Sequence, residues 1–103
     1  MTHIEDRVLL VLHDRDAEIT EEEVVDLCRV DPELREMCTW VWMDALTVPR
    51  WHSPEVHRAM GVLMGMAFVD RIFSGRTVWF RVSADGKVLA EHLKTRGEQD
   101  DPR

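Results

Sequence analysis

Apolar residues recur at helical spacing over most of this chain and alternate in one stretch of its second half. Ile4, Val8, Val11 and Leu12, widened by Leu9, make a stripe that predicts a first helix over residues 4–15. Ala17-Glu18-Ile19 is a short extended link, placed where a small third strand can join a later hairpin. Thr20-Glu21-Glu22-Glu23 is a capping box: the Thr20 hydroxyl can accept from the amide three residues on, and Glu23 can reach back. The same carboxylates suit the positive end of the helix that follows, so this acidic run reads as capping and a solvated face. Asp31-Pro32 repeats the logic of cap and first helical position, and predicts a helix to about Leu46 or Thr47. Its inward stripe is Leu34, Met37, Cys38, Val41, Ala45 and Leu46. Trp40 and Trp42 diverge by about 200° on such a helix, so one of them faces a partner, another helix or solvent.

Residues 48–52 show no period, and Pro49 breaks the preceding helix, so they read as a turn between two helices. Ser53 and Pro54 then open the next helix, with Val56, Met60, Leu63 and Met64 inward and Glu55, His57, Arg58 and Gly61 on other faces. Gly65 offers it a stop. The period now changes to two: Phe68, Asp70 and Ile72 alternate with Val69, Arg71 and Phe73. Ser74-Gly75-Arg76 is a hairpin turn, and the returning strand Thr77–Val82 puts Val78, Phe80 and Val82 on one face and Trp79 and Arg81 on the other. Ser83 caps a last helix containing Val88, Leu89, His92 and Leu93, with Gly86 weakening its first turn. That helix is expected to fade by Gly97. Residues 1–97 thus form one domain, and residues 98–103 a disordered polar tail.

A chain of 103 residues holds one core and not two. Its 45% apolar and 32% charged residues are ordinary for a soluble protein, and no apolar run approaches the roughly 20 residues that cross a bilayer. The first six residues lack the features of a secretory signal, so the cytoplasm is the expected compartment and no membrane contact is expected. Cys28 and Cys38 lack the spacing of a zinc site and are expected to be buried free thiols. Net charge is −7, but it is unevenly spread: residues 1–47 carry −9, residues 48–97 carry +4 and residues 98–103 carry −2. A basic segment on an otherwise repulsive body suits contact with phosphates, and suits a protein-binding face equally.

Read together, SPEVHRAMGVLMGMAFVDR followed by TVWFRVSADGKVLAEHL resembles the winged helix-turn-helix superfamily of bacterial and phage transcription regulators. The match covers about residues 50–95. The expected fold is mainly α with a small β-hairpin wing, about five helices and a two- or three-stranded antiparallel sheet. Two departures stand out: Met66-Ala67 precedes the first wing strand, where such regulators usually carry glycine, and the helix from Pro32 is long for its place. The resemblance implies that the Ser53 helix enters a major groove and the wing touches an adjacent minor groove or backbone. Ser53, Glu55, His57 and Arg58 are then candidates at the bases, Arg50 and His52 at phosphates, and Arg71, Arg76 and Thr77 on the wing. Arg58 and Arg76 are the strongest, because a guanidinium fork can grip guanine or phosphate with two hydrogen bonds.

Other chemistry is not expected. His52 and His57 have no third ligand nearby, so no metal site is predicted, and no nucleophile–base arrangement or phosphate-binding loop occurs. The chain reads as neither an enzyme nor a cofactor protein. An exposed Trp40 or Trp42, or Trp51 in the turn, would anchor a protein partner or a homodimer. Two functions follow. One is a small DNA-binding regulator, bacterial or phage, acting on double-stranded DNA as a dimer. The other is an acidic winged-helix interaction module, an adaptor, inhibitor or DNA mimic, that binds protein and no DNA.

Overall fold

Side-chain caps open the helices where the sequence places them. In the computed structural model of the chain, which describes residues 1–42 and 49–99, the Thr2 hydroxyl accepts from the Glu5 amide and starts α1 (His3–Arg15). Thr20 accepts from the Glu23 amide at 3.4 Å and starts α2 (Glu21–Arg29), while its hydroxyl meets the Glu23 carboxylate at 3.1 Å. Ser53 accepts from the Val56 amide and starts α3 (Pro54–Gly65). The last helix, α4 (Ala84–Gln99), is capped by Ser83, which accepts from the Gly86 amide. It continues two residues beyond Gly97. The remainder of the expected tail, residues 100–103, lies outside the described residues.

The strand β1 (Ile19–Thr20), joined with β4 (Val69–Ser74) and β5 (Thr77–Val82), makes an antiparallel sheet in the order β1-β5-β4. Ile19 pairs with Phe80, and both are buried. Gly75, at φ 62, supplies the left-handed turn that closes the β4–β5 hairpin. The core gathers Val8, Leu9 and Leu12 of α1, Val24 and Cys28 of α2, Val56, Ala59 and Leu63 of α3, and Val69 and Phe80 of the sheet. Burying a Val or Leu side chain fully is worth about 1.5–3 kcal/mol. Val56 and Leu63, with Ala59 and Met60 buried between them, therefore hold α3 by its inner side and leave its outer side free.

The helix expected from Pro32 to about Thr47 does not form. Its cap does: Asp31 accepts from the Glu33 and Leu34 amides at 3.0 and 3.2 Å. The helical chain then lasts only through a 3-10 turn at Arg35–Met37, and Cys38 is already extended at φ −100, ψ 128. Thr39–Trp42 is instead a strand, β2, paired antiparallel with β3 (Pro49–His52). Residues 43–48 lie outside the described ones. Thr, Trp, Val and Trp in succession favour a pleated strand, and a partner strand is available in Pro49–His52, so β pairing overrides the apolar spacing that suggested a helix. Helices therefore number four among the described residues, and Arg50, Trp51 and His52 belong to a strand, not a turn.

The exit from α3 explains the Met66-Ala67 departure. The Phe68 amide donates to Leu63 and the Ala67 amide to Met64, the paired bonds of a Schellman stop, with Ala67 at φ 61. Gly65 stays helical, so the stop lies two residues later than the glycine suggested. Ala67 holds the left-handed conformation that glycine adopts without steric cost. Ala67→Gly is accordingly expected to raise stability by up to about 1 kcal/mol, read as a higher urea midpoint.

Cys28 and Cys38 are both buried and free. Loss of solvation pushes the Cys28 thiol up to about 12, with Cys38 and Asp31 adding to the shift, and burial raises Cys38 as well. Neither is poised as a nucleophile.

Candidate nucleic-acid interface

The outward side of α3 carries Pro54, His57, Arg58, Gly61 and Gly65, all exposed. A Cβ added at either glycine would meet nothing within 4 Å, so this side of the helix is low and open. The wing stands beside it. In the β4–β5 register, Arg71 lies opposite Phe80 and Phe73 opposite Val78, on the same sheet face as the buried Val69. Asp70, Ile72 and Ser74 face the other way. Arg71 thus projects from the face that turns toward the core and, further out, toward α3. Its guanidinium lies 5.0 Å from the centre of the Phe73 ring, which is 67% exposed.

An open groove of about 820 Å³ runs between these elements. α3 contributes Val56, His57, Met60, Gly61 and Met64; the wing contributes Arg71, Arg76, Thr77 and Val78. The opposite wall is Arg50, Trp51 and His52 of β3 with the start of α2, Thr20, Glu21 and Glu22. The fold therefore brings Arg50, His52, His57, Arg71, Arg76 and Thr77 to one place. Ser53 also borders it, but at 1% exposure with its hydroxyl committed to the Val56 amide and the Glu55 carboxylate, it serves as a cap. Glu55 is half-buried, and Arg58 stands outside the groove on the exposed side of α3.

Charge in the groove is partly cancelled from within. A Glu22 carboxylate oxygen pairs with the Arg50 guanidinium, and His57 Nδ1 lies 3.2 Å from a Glu21 carboxylate oxygen. On the outer wing face Arg81 is shared between Asp70 and Glu18 at 3.8 Å each. Arg58, Arg71 and Arg76 make no ion pair among the described residues. Around the groove, the positive charge left without an ion pair is thus on the outer side of α3 and on the wing; Arg15, Arg29 and Arg35, which do not line the groove, are likewise without one among the described residues.

No protein-family model and no curated protein matches the sequence. Among solved structures, a mutant of Lactococcus lactis ZitR superposes with a TM-score of 0.61 at 13% identity, over 96% of this chain and 54% of that one. The same mutant in its apo form gives 0.60 at 13% identity, over 95% and 59%. The fold is winged-helix-like. At this identity the likeness is one of fold, and this chain spans little more than half the length of the structures it resembles.

A winged-helix-like frame makes α2 and α3 the pair that precedes the wing. Their connection is where this chain differs, because a helix-turn-helix joins its helices through a turn of about 3–4 residues, whereas residues 30–53 here include a 3-10 turn and the β2–β3 hairpin. Trp40 and Trp42, two apart on a strand, fall on the same face, the reverse of their expected divergence. Trp51 joins them from β3, half-buried, with Trp40 edge-on at 5.1 Å and the Arg29 guanidinium 4.1 Å from its ring centre. Two groove features escape a reading by sequence: the Glu21 and Glu22 carboxylates, read there as a solvated face, and the β3 wall. Alternation in Thr39-Trp40-Val41-Trp42 was the available signal for the hairpin. Nothing local placed the start of α2 beside Arg50.

Among the described residues no helix is long and apolar enough to cross a membrane, and no three His, Cys, Asp or Glu side chains cluster as metal ligands.

Proposed function

We propose that this chain is a small winged-helix regulator of bacterial or phage type that binds double-stranded DNA in the cytoplasm, acts as a dimer and is not an enzyme. The observation that carries the reading is the placement together of three arginines that make no ion pair among the described residues. Arg58 lies on the open side of α3, and Arg71 and Arg76 lie on the wing beside it. Gly61 and Gly65 leave the α3 backbone room to approach a groove floor, and the wing arginines suit phosphates or a minor groove.

A salt titration of duplex binding tests it. Arg58→Ala and Arg76→Ala are each expected to weaken binding about tenfold and to flatten the slope of log affinity against log salt by about 1. Glu22→Gln, by releasing Arg50, is expected to act oppositely, tightening binding and steepening the slope. Absence of duplex binding at low salt in both the parent chain and Glu22→Gln removes the proposal.

A second reading has its own observation. Arg50 and His57 are paired with α2 carboxylates, and Trp40 and Trp42 are exposed together, as an acidic protein-binding module would have them. It predicts no duplex binding at any salt.

A further inference from the structure

Among the described residues of the wing strands, every apolar side chain but one is buried or half-buried. The exception is Phe73, 67% exposed. It lies opposite Val78, one pair in from the Ser74 and Thr77 pair that adjoins the turn, on the sheet face it shares with Arg71 and the buried Val69. That face meets the core at Val69 and has left it by Phe73. The Arg71 guanidinium is 5.0 Å from the ring centre, and Arg76 sits in the turn just beyond. Neither arginine makes an ion pair among the described residues, and the wing's one carboxylate, Asp70, faces the other way with Arg81 at 3.8 Å. A single exposed apolar residue is ordinary on a protein surface. One set between two unpaired cations at the end of a hairpin suits a surface that is anionic outside and apolar within.

We infer that Phe73 is a wedge that enters duplex DNA from the minor groove and inserts between two base pairs, partly unstacking them and kinking the helix, while Arg71 and Arg76 neutralise the flanking phosphates. This rests on the DNA-binding reading above and adds to it a determinant of sequence preference. A base stack supplies what this tip lacks, an apolar slot for the ring framed by phosphates for the two guanidiniums. Charge favours a duplex over a protein pocket, because Arg58 on the open side of α3 adds a third unpaired cation beside the wing, and a duplex presents phosphates to all three. Two effects then compete over sequence. An arginine reaching into the minor groove favours a stiff A-tract, whose groove is narrow and strongly negative, whereas a wedge favours TA steps, which unstack easily. The sign of the preference tells them apart.

Two duplexes of equal length and base composition test the wedge, one alternating A and T and the other with all its A on one strand. Each is closed by G·C pairs at both ends and carries a donor dye at one end and an acceptor at the other. The parent chain is expected to bind the alternating duplex about tenfold more tightly and to raise energy transfer between its ends. Phe73→Ala, which removes no charge and no buried side chain, is expected to lose both the preference and the added transfer while keeping the slope of log affinity against log salt. Phe73→Leu is expected to keep both, because a branched apolar side chain can still part a base step. Circular dichroism checks that each variant is folded. Failure of both the parent chain and Glu22→Gln to bind either duplex at low salt overturns the DNA reading and the wedge together. A parent chain that binds without the preference or the added transfer, or a Phe73→Ala chain that behaves as the parent does, overturns the wedge alone and leaves Phe73 to a protein partner.

Discussion

Asp31→Ala is expected to lower unfolding stability by about 3 kcal/mol, at the lower end of the cost of breaking a buried ion pair from one side. Asp31 is 6% exposed, and its carboxylate is gripped by Arg7 through Nε at 3.0 and 3.2 Å and through Nη2. The same carboxylate caps the turn that follows, so the substitution also strips an acceptor from the Glu33 and Leu34 amides. Arg7 is one-third exposed and can rehydrate, which keeps the loss from reaching the upper end. Asp31→Asn retains a cap oxygen and is expected to cost less. The hydrogen bond from Arg7 holds the Asp31 carboxyl below its ordinary 3.8, against the opposing pull of burial, with the two amides helping. A carboxyl whose pKa is depressed by folding stabilises the folded state fully above its unfolded value and loses that contribution as pH falls through the folded one. The parent chain is therefore expected to lose urea stability more steeply than Asp31→Asn as pH drops through and below 3.8. Parallel pH profiles of the two chains would count against this role.

Gly86→Ala is expected to cost about 3 kcal/mol, or to prevent folding, because overpacking against unyielding atoms reaches or exceeds that scale. A Cβ at this position would sit 2.0 Å from the Phe68 carbonyl oxygen and 2.8 Å from a Val82 methyl carbon. That carbonyl cannot swing away, since it accepts from the Ser83 amide at 3.0 Å while the Ser83 hydroxyl donates to the Ala67 carbonyl at 2.7 Å. Ser83 thus ties the stop of α3, the start of β4 and the cap of α4 into one joint, and Gly86 lets α4 approach it. Helix propensity alone favours alanine over glycine by about 1 kcal/mol, so the sign of the result decides which effect governs. Gly61→Ala and Gly65→Ala on α3, where an added Cβ meets open space, are expected to be neutral or mildly stabilising. Thermal melts of the three chains make the comparison. Equal behaviour would mean that the α4 approach is looser than the geometry indicates.

Much of this frame was legible in the chain itself, for a local reason. The caps at Thr20, Ser53 and Ser83, the inward stripe of α3 and the Gly75 turn each depend on residues within four positions of one another. The register in which Arg71 and Phe73 share a face also follows from alternation. The candidate site was legible as a set of residues but not as an arrangement. Gly86 looked like a weak spot in a helix because its necessity lies in Phe68, far along the chain. Glu21 and Glu22 looked solvated because Arg50 and His57 meet them only after folding.

By itself the amino-acid sequence determined the winged-helix-like frame, the α3 cap and stripe, and the basic character of the second half, all set by short-range spacing and backbone preference. Only the tertiary structure decided the stretch between α2 and α3. There an apolar pattern served helix and strand alike, and pairing of Thr39–Trp42 with Pro49–His52 settled it, turning two tryptophans to one face. It also decided which positive charges remain uncompensated, because an ion pair between distant residues is formed by the fold and leaves no mark in local sequence.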